Sequence, residues 1–379
     1  MIEQKINVGL VGLGFGGAFA QIYAHHPNIK NLTIFDTDPI RLKETTDTLP
    51  HDVKTCSSFA SMLEDASIDA IHLVTPIPLH EEQSIAVLSS GKHCACTVPM
   101  ATSLEGIRRI TDTVRRSGKV YMMMETTLYT YQFFYVQDLI KKGILGRIQF
   151  LRGSHYQDMA NWPDYWMGLP PMYYGTHAIA PLTVLAGTRI KRVHGVGSGS
   201  MSADLVSRYG NPFPVESALL HFENGLKAEV TRSLFETARV YQEGMFVYGS
   251  DACFEWGFTD GDAPYLTYGI PASDGSRGGT YRTEIIELPN YHTLLPEPIR
   301  RFTVGSDYDP LNPQKSLVKG AGGGHHGSHP HLVHEFISSI IENRRSKIDE
   351  VLGGNITAAG ICAHESAMHD AVAVDVPLF

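Results

Sequence analysis

One short stretch constrains this chain more than any other: Gly12-Leu13-Gly14-Phe15-Gly16-Gly17, which fits G-x-G-x-x-G through Gly12, Gly14 and Gly17. Glycine tolerates the tight turn and close backbone approach such a loop needs, and a helix opening there points N–H groups at an anion. The chain has 36 glycines, so the pattern alone says little and its setting carries the argument. Lys5–Gly12 reads as a buried strand and Gly16–Ala24 as the start of a helix. Asp36 ends the next strand, Asn31–Asp36, 19 residues after Gly17. A carboxylate there accepts from ribose hydroxyls and repels a 2′-phosphate. The expected cofactor is NAD rather than NADP, its pyrophosphate held by Gly12, Gly14, Phe15, Gly16 and Gly17 and its ribose by Asp36.

The alternation continues. Ala70–Thr75, His93–Thr97 and Val120–Met124 read as strands, with helices over Ile40–Thr48, Glu81–Ser90 and Ser103–Ser117 between them. Such alternation predicts right-handed βαβ units: a Rossmann domain with a doubly wound parallel sheet over residues 1–126. Thr75-Pro76, at the end of a later strand, is expected on the nicotinamide side of the cofactor, and His80, just beyond, reads equally as a contact or as a capping and packing residue. After Thr126 the pattern changes to a helix over Gln132–Lys142 and longer alternating strands over Ile148–His155, Arg189–Gly197, Val215–Phe222 and Lys227–Leu234. Asn224-Gly225 marks one hairpin, and Ser250-Asp251 turns another between Gln242–Gly249 and Ala252–Gly257. Residues 127–379 are therefore expected to form an α+β domain with a large, open, mainly antiparallel sheet. Asp260–Gly279 and Ser306–Gly327 read as excursions, and helices over His331–Asn343 and Thr357–His369 close the chain. An open sheet of this kind commonly buries its outer face in a second copy, so a homo-oligomer, dimer or tetramer, is expected.

Composition narrows the partners. A net charge of −9 disfavours nucleic acid and anionic membrane, no run is long enough to span a bilayer, and Met1–Asn7 does not read as a secretory leader. Five cysteines without zinc or redox spacing read as free thiols, consistent with a cytoplasmic enzyme. The histidines His325, His326, His329, His331 and His334 suggest a metal at first sight. No Cys, Asp or Glu completes a set among them, and no metal is expected. The loop Asn161-Trp162-Pro163-Asp164-Tyr165-Trp166 offers aromatic faces that stack on sugar rings or anchor the loop. Arg152, Arg232 and Arg239 read as solvated or salt-bridged.

The glycine loop, Thr75-Pro76 with His80, and Gly91-Lys92-His93 leading to Pro99-Met100-Ala101 together resemble the Gfo/Idh/MocA family of NAD(P)-dependent sugar and inositol oxidoreductases. In that family the turn usually reads Glu-Lys-Pro; its lysine lies near the nicotinamide, which implies cofactor contacts at Thr97, Val98 and Pro99 here, and acts with a downstream Asp-x-x-x-His. Here the turn is Thr97-Val98-Pro99, and the position four before His177 is Tyr173. Val98 has no proton to exchange, yet an alcohol oxidation needs a group to take the hydroxyl proton. The segment Met172–His177, with Glu125 upstream and Gly324-His325-His326-Gly327 downstream, looks like the subgroup containing NAD-dependent glycosidases, such as the α-N-acetylgalactosaminidases and sulfoquinovosidases. The resemblance implies oxidation at carbon 3 of a sugar, elimination of the aglycone after proton loss at carbon 2, water addition and return of the hydride. It assigns Tyr174 and His177 to the oxidised hydroxyl, His325 to leaving-group and water chemistry, and Glu125 to a base or sugar anchor. Trp162, Trp166 and Tyr173 are the candidate sugar contacts. A plain sugar dehydrogenase with His177 in place of the lysine, and an inactive NAD-bound sensor, are the other readings.

Overall fold

The run ahead of the glycine loop forms β1 (Ile6–Val11), inside a six-stranded parallel sheet in the computed structural model, which describes residues 4–259, 261–272, 277–304 and 324–379. The chain divides into two compact units: Met1–Thr130 with Asn290–Gly354 and Phe379, and Tyr131–Pro289 with Asn355–Leu378.

In the first unit β2 (Ile29–Phe35), β3 (Lys54–Thr55), β4 (Ala70–Leu73), β5 (His93–Thr97) and β6 (Tyr121–Met124) join β1 in the order β3-β2-β1-β4-β5-β6, all parallel. β4 is buried at every residue and β1 at five of its six, as expected where helices cover both faces of a sheet. The order reverses between β1 and β4, and ligands of such sheets bind beyond the strand ends at that switch point. The helices are α1 (Gly17–His25), α2 (Pro39–Asp47), α3 (Phe59–Glu64), α4 (His80–Ser89) and α5 (Leu104–Ser117). The Asp38 carboxylate caps α2 through the Ile40 and Arg41 amides. The helix His329–Ile341 packs on α1. Residues 290–354 therefore belong with the cofactor unit, a return of the chain that a contiguous division at residues 126 and 127 does not contain.

The second unit is built on nine strands: β7 (Ile148–Tyr156), β8 (Ile190–Ser198), β9 (Val215–Phe222), β10 (Lys227–Ser233), β11 (Gln242–Gly249), β12 (Ala252–Glu255), β13 (Tyr265–Ile270), β14 (Thr280–Ile285) and β15 (Val374–Asp375). Their order is β14-β13-β12-β11-β7-β10-β9-β8-β15, and every pairing but the parallel β7–β10 contact is antiparallel. Both expected hairpins form, with Gly225 at φ 94° in the first. One expectation is corrected: the stretch read as an excursion over residues 260–279 contributes β13, whose alternating residues extend the sheet. Most of the second excursion, residues 305–323, lies outside the described residues. Three helices follow the first five in chain order: α6 (Tyr131–Lys141), α7 (Thr176–Ala186) and α8 (Ala203–Tyr209). α7 lies across β7, β10 and β11.

Candidate active site

The glycine loop is shaped as its sequence requires. Gly12 has φ 85°, and a side chain there would run into the Val74 carbonyl. Asp36 is buried at the end of β2 and ties the loop down: one carboxylate oxygen accepts from Leu13 N at 2.6 Å, the other from Asp38 N at 2.8 Å. The Arg41 guanidinium stands 3.4 Å from both oxygens. Phe15 is half exposed at the loop tip. Gly12 through Gly17 thus form an open cradle with a buried carboxylate beside it, and the residues present fit a dinucleotide.

On the other side of the switch point, His80 is almost fully buried, and Nδ1 lies 2.7 Å from the Pro99 carbonyl while Nε2 lies 2.8 Å from the Thr75 carbonyl. A carbonyl oxygen only accepts, so both ring nitrogens must donate and the ring is an imidazolium. Burial disfavours that charge; the neighbouring Cys96 and the two carbonyls outweigh it and push the ring up to about 9. His80 therefore clamps the end of β4 to the turn after β5, which Val98 and the cis-linked Pro99 form. Thr75 donates its hydroxyl to Gln83, and Thr97 donates to the Leu73 carbonyl. Val98 is buried.

The second unit holds the feature that sequence reading missed. On the inner face of its sheet, each of four adjacent strands carries apolar or small residues in the inward phase and then one titratable residue at the same level. Leu151 and Gly153 precede His155 on β7, Ala228 and Val230 precede Arg232 on β10, Met245 and Val247 follow Glu243 on β11, and Ala218 and Leu220 follow Glu216 on β9. The register pairs Glu243 with His155, His155 with Arg232 and Arg232 with Glu216. The result is a row, Glu243–His155–Arg232–Glu216, of four buried residues. Arg232, expected to be solvated or salt-bridged, instead donates to the carbonyls of Tyr174, His155 and Ser233 and to Gln157 Oε1, at 2.7–3.1 Å. Burial lowers it to about 10, so it stays a cation. Glu216 accepts from Met172 N at 2.8 Å and pairs with His364 at 2.6 Å.

Tyr174 and His177 stand over this row. The Tyr174 hydroxyl lies 3.2 Å from His177 Nε2, Trp166 meets Tyr174 edge-on at 4.8 Å, and the His155 and His177 rings are 5.0 Å apart. The approach depends on Gly153. A side chain there would collide with the Ala178 carbonyl, so only glycine admits α7 this close to β7. Tyr173 turns the other way, against His364 at 5.2 Å. Trp162 is exposed and packs edge-on against Trp166.

Glu125 and His325 belong to the first unit. Glu125 caps the turn Thr126–Tyr129, one oxygen accepting from the Thr127 amide and hydroxyl at 3.1 and 2.9 Å. His325 sits in a left-handed turn, φ 46° with His326 at 53°, and its ring faces Phe15 of the glycine loop at 5.9 Å. His329 is buried against Phe15 and Phe19. His26 and His334 pair at 3.1 Å.

Comparison with known proteins agrees with both units. A model of the oxidoreductase family with an NAD-binding Rossmann fold matches residues 6–125, and one of the GFO/IDH/MocA C-terminal domain matches residues 133–255. A glycosyl hydrolase family 109 protein of Porphyromonas gingivalis is 26% identical over 212 residues, 50% of this chain and 45% of the relative. Another from Bacteroides thetaiotaomicron is 21% identical over 354 residues, 86% of this chain and 74% of the relative. The first relatives are thus matched over roughly half of their length. Levoglucosan dehydrogenase in complex with NADH and levoglucosan shares the fold at a TM-score of 0.76 and 22% identity, covering 99% of this chain and 100% of the other. Among the described residues no helix is long and apolar enough to cross a membrane.

Proposed function

Because the chain belongs to the Gfo/Idh/MocA oxidoreductase family and opens with its NAD-binding Rossmann domain, we propose that it acts on a sugar glycoside and hydrolyses it by transient oxidation at carbon 3. The observation that carries this reading is the combination of Val98 at the position of the family's lysine with a hydrogen-bonded Tyr174–His177 pair over a buried polar row. Bound NAD supplies a hydride acceptor that returns its hydride at the end of the cycle. Tyr174, backed by His177, takes the proton of the carbon 3 hydroxyl and gives it back when the ketone is reduced again. The ketone acidifies the hydrogen on carbon 2, whose removal by a base expels the aglycone from carbon 1; water then adds. Glu125 and His325 are the candidates for the base and for leaving-group and water chemistry, and Trp162 and Trp166 for the sugar contacts; Tyr173, packed against His364, is not among them. Relatives named for a glycoside hydrolase family support this direction.

The likeness to levoglucosan dehydrogenase favours a second reading, a sugar dehydrogenase in which the same pair replaces the lysine. A panel of aryl glycosides separates the two. Aglycone release with deuterium uptake at carbon 2 and no NADH accumulation is the expected outcome. NADH formed in proportion to sugar consumed would establish the dehydrogenase instead, and a panel without turnover despite tight NAD binding would leave only a sensor.

A further inference from the structure

Among the described residues, one set of three metal-ligating side chains converges: His155 on β7, His177 on α7 and Glu243 on β11, all buried, each offering a ligand atom within 4.8 Å of the others. Three elements built by different parts of the chain meet there. β7 and β11 place His155 opposite Glu243 by register, and the Gly153 contact sets His177 over them. Two imidazoles and one carboxylate are the donor set of open zinc and non-haem iron sites, which leave a position for water or substrate.

The Tyr241 hydroxyl donates to Glu243 Oε1 at 2.7 Å and so orients the carboxylate. A hydrogen-bonded carboxylate facing two imidazoles is how metal sites hold their ligands in position.

We propose that His155, His177 and Glu243 bind one divalent transition-metal ion of the zinc class. The site lies wholly within the second unit and shares His177 with the glycoside reading, but metal binding needs neither NAD nor sugar. The test uses the full chain, free of any affinity tag. Mass-spectrometric metal analysis after purification is expected to find about one equivalent of metal per chain, or, after stripping with a chelator, titration with Zn(II) to saturate at one equivalent. Co(II) at the same site is expected to give visible d–d bands. His155→Asn and Glu243→Gln should each abolish the saturable equivalent, and Tyr241→Phe should weaken it about ten- to a hundredfold. NAD affinity and far-UV circular dichroism report whether each variant folds, and the unmodified chain decides the matter even if none does. A chain with no stoichiometric metal and no saturable Zn(II) titration overturns the proposal. Zinc binding that survives both ligand substitutions overturns it too. Zinc binding without aglycone release would end the glycosidase reading and leave this one standing.

Discussion

At the residue scale, two side chains decide what the two units can do. Asp36 faces Arg41 across 3.4 Å, so one site holds both a carboxylate suited to ribose hydroxyls and a guanidinium suited to phosphate. Removing the carboxylate by Asp36→Ser is expected to weaken NAD binding about ten- to a hundredfold, the worth of a charged hydrogen bond, and to release Arg41 toward a 2′-phosphate. Titration of NAD and NADP by fluorescence checks this, and an unchanged preference would remove Asp36 from the ribose site. Tyr174 is the corresponding probe in the second unit. Tyr174→Phe keeps the ring that packs on Trp166 and removes only the hydroxyl that meets His177. Turnover should fall about a hundred- to ten-thousandfold with NAD affinity unchanged. A turnover loss of less than threefold (roughly the effect of a packing change alone) would move the proton transfer elsewhere.

At the element scale, the approach of α7 to β7 sets the site. Gly153→Ala places a methyl group against the Ala178 carbonyl, so the helix must shift. Such overpacking costs about 1–3 kcal/mol, and because His177 adjoins Ala178 it should lower turnover together with the melting point of the second unit. Calorimetry and a turnover assay on one preparation test it; full turnover would mean that α7 does not need its seat on Gly153. This contact also shows where sequence reading stops. Five of the six parallel strands were legible because apolar runs alternate with capped helices such as α5, which begins after Ser103 and ends at Gly118; the two-residue edge strand β3, exposed at both positions, carries no such run. The Tyr174–His177 pair was named only through the resemblance to the glycosidase subgroup; its one-turn spacing explains why the two side chains meet. The row Glu243–His155–Arg232–Glu216 was not, because its members are up to 88 residues apart and meet only through strand register. A signal was nevertheless present: the inward phase of β7, β9, β10 and β11 breaks from apolar to titratable at one end of each strand. Reading that break requires the strand order, and the parallel β7–β10 pairing is not the neighbour relation that consecutive hairpins suggest.

At the scale of the whole molecule, the return of residues 290–354 to the cofactor unit concentrates its buried histidines. His26, His72 and His331 are held down to about 3 from an ordinary 6.5, chiefly by burial, with His334 adding to the effect at His26 and His331 and His80 at His72. His80 is pushed the other way, up to about 9. All four belong to the first unit. Between about pH 6.5 and 3 the unfolded chain binds protons at the three depressed histidines that the folded unit refuses. Stability must therefore fall on acidification, by about 1.4 kcal/mol per pH unit for each of them in the middle of that window. Between about pH 6.5 and 9 the folded unit keeps a proton on His80 that the unfolded chain has lost. That contribution is complete below 6.5 and disappears as the pH climbs through 9, so stability falls on this side as well. Urea unfolding of the first unit, followed by loss of NAD binding, should show greatest stability near neutrality or slightly below, with a steeper acid limb than alkaline limb. Substituting His72 by Gln should flatten the acid limb by the share of one histidine, and His80→Gln should remove the alkaline slope. Stability that kept rising from about pH 6.5 to 8.5 would show that His80 is neutral in the folded unit, which its two carbonyl partners do not allow.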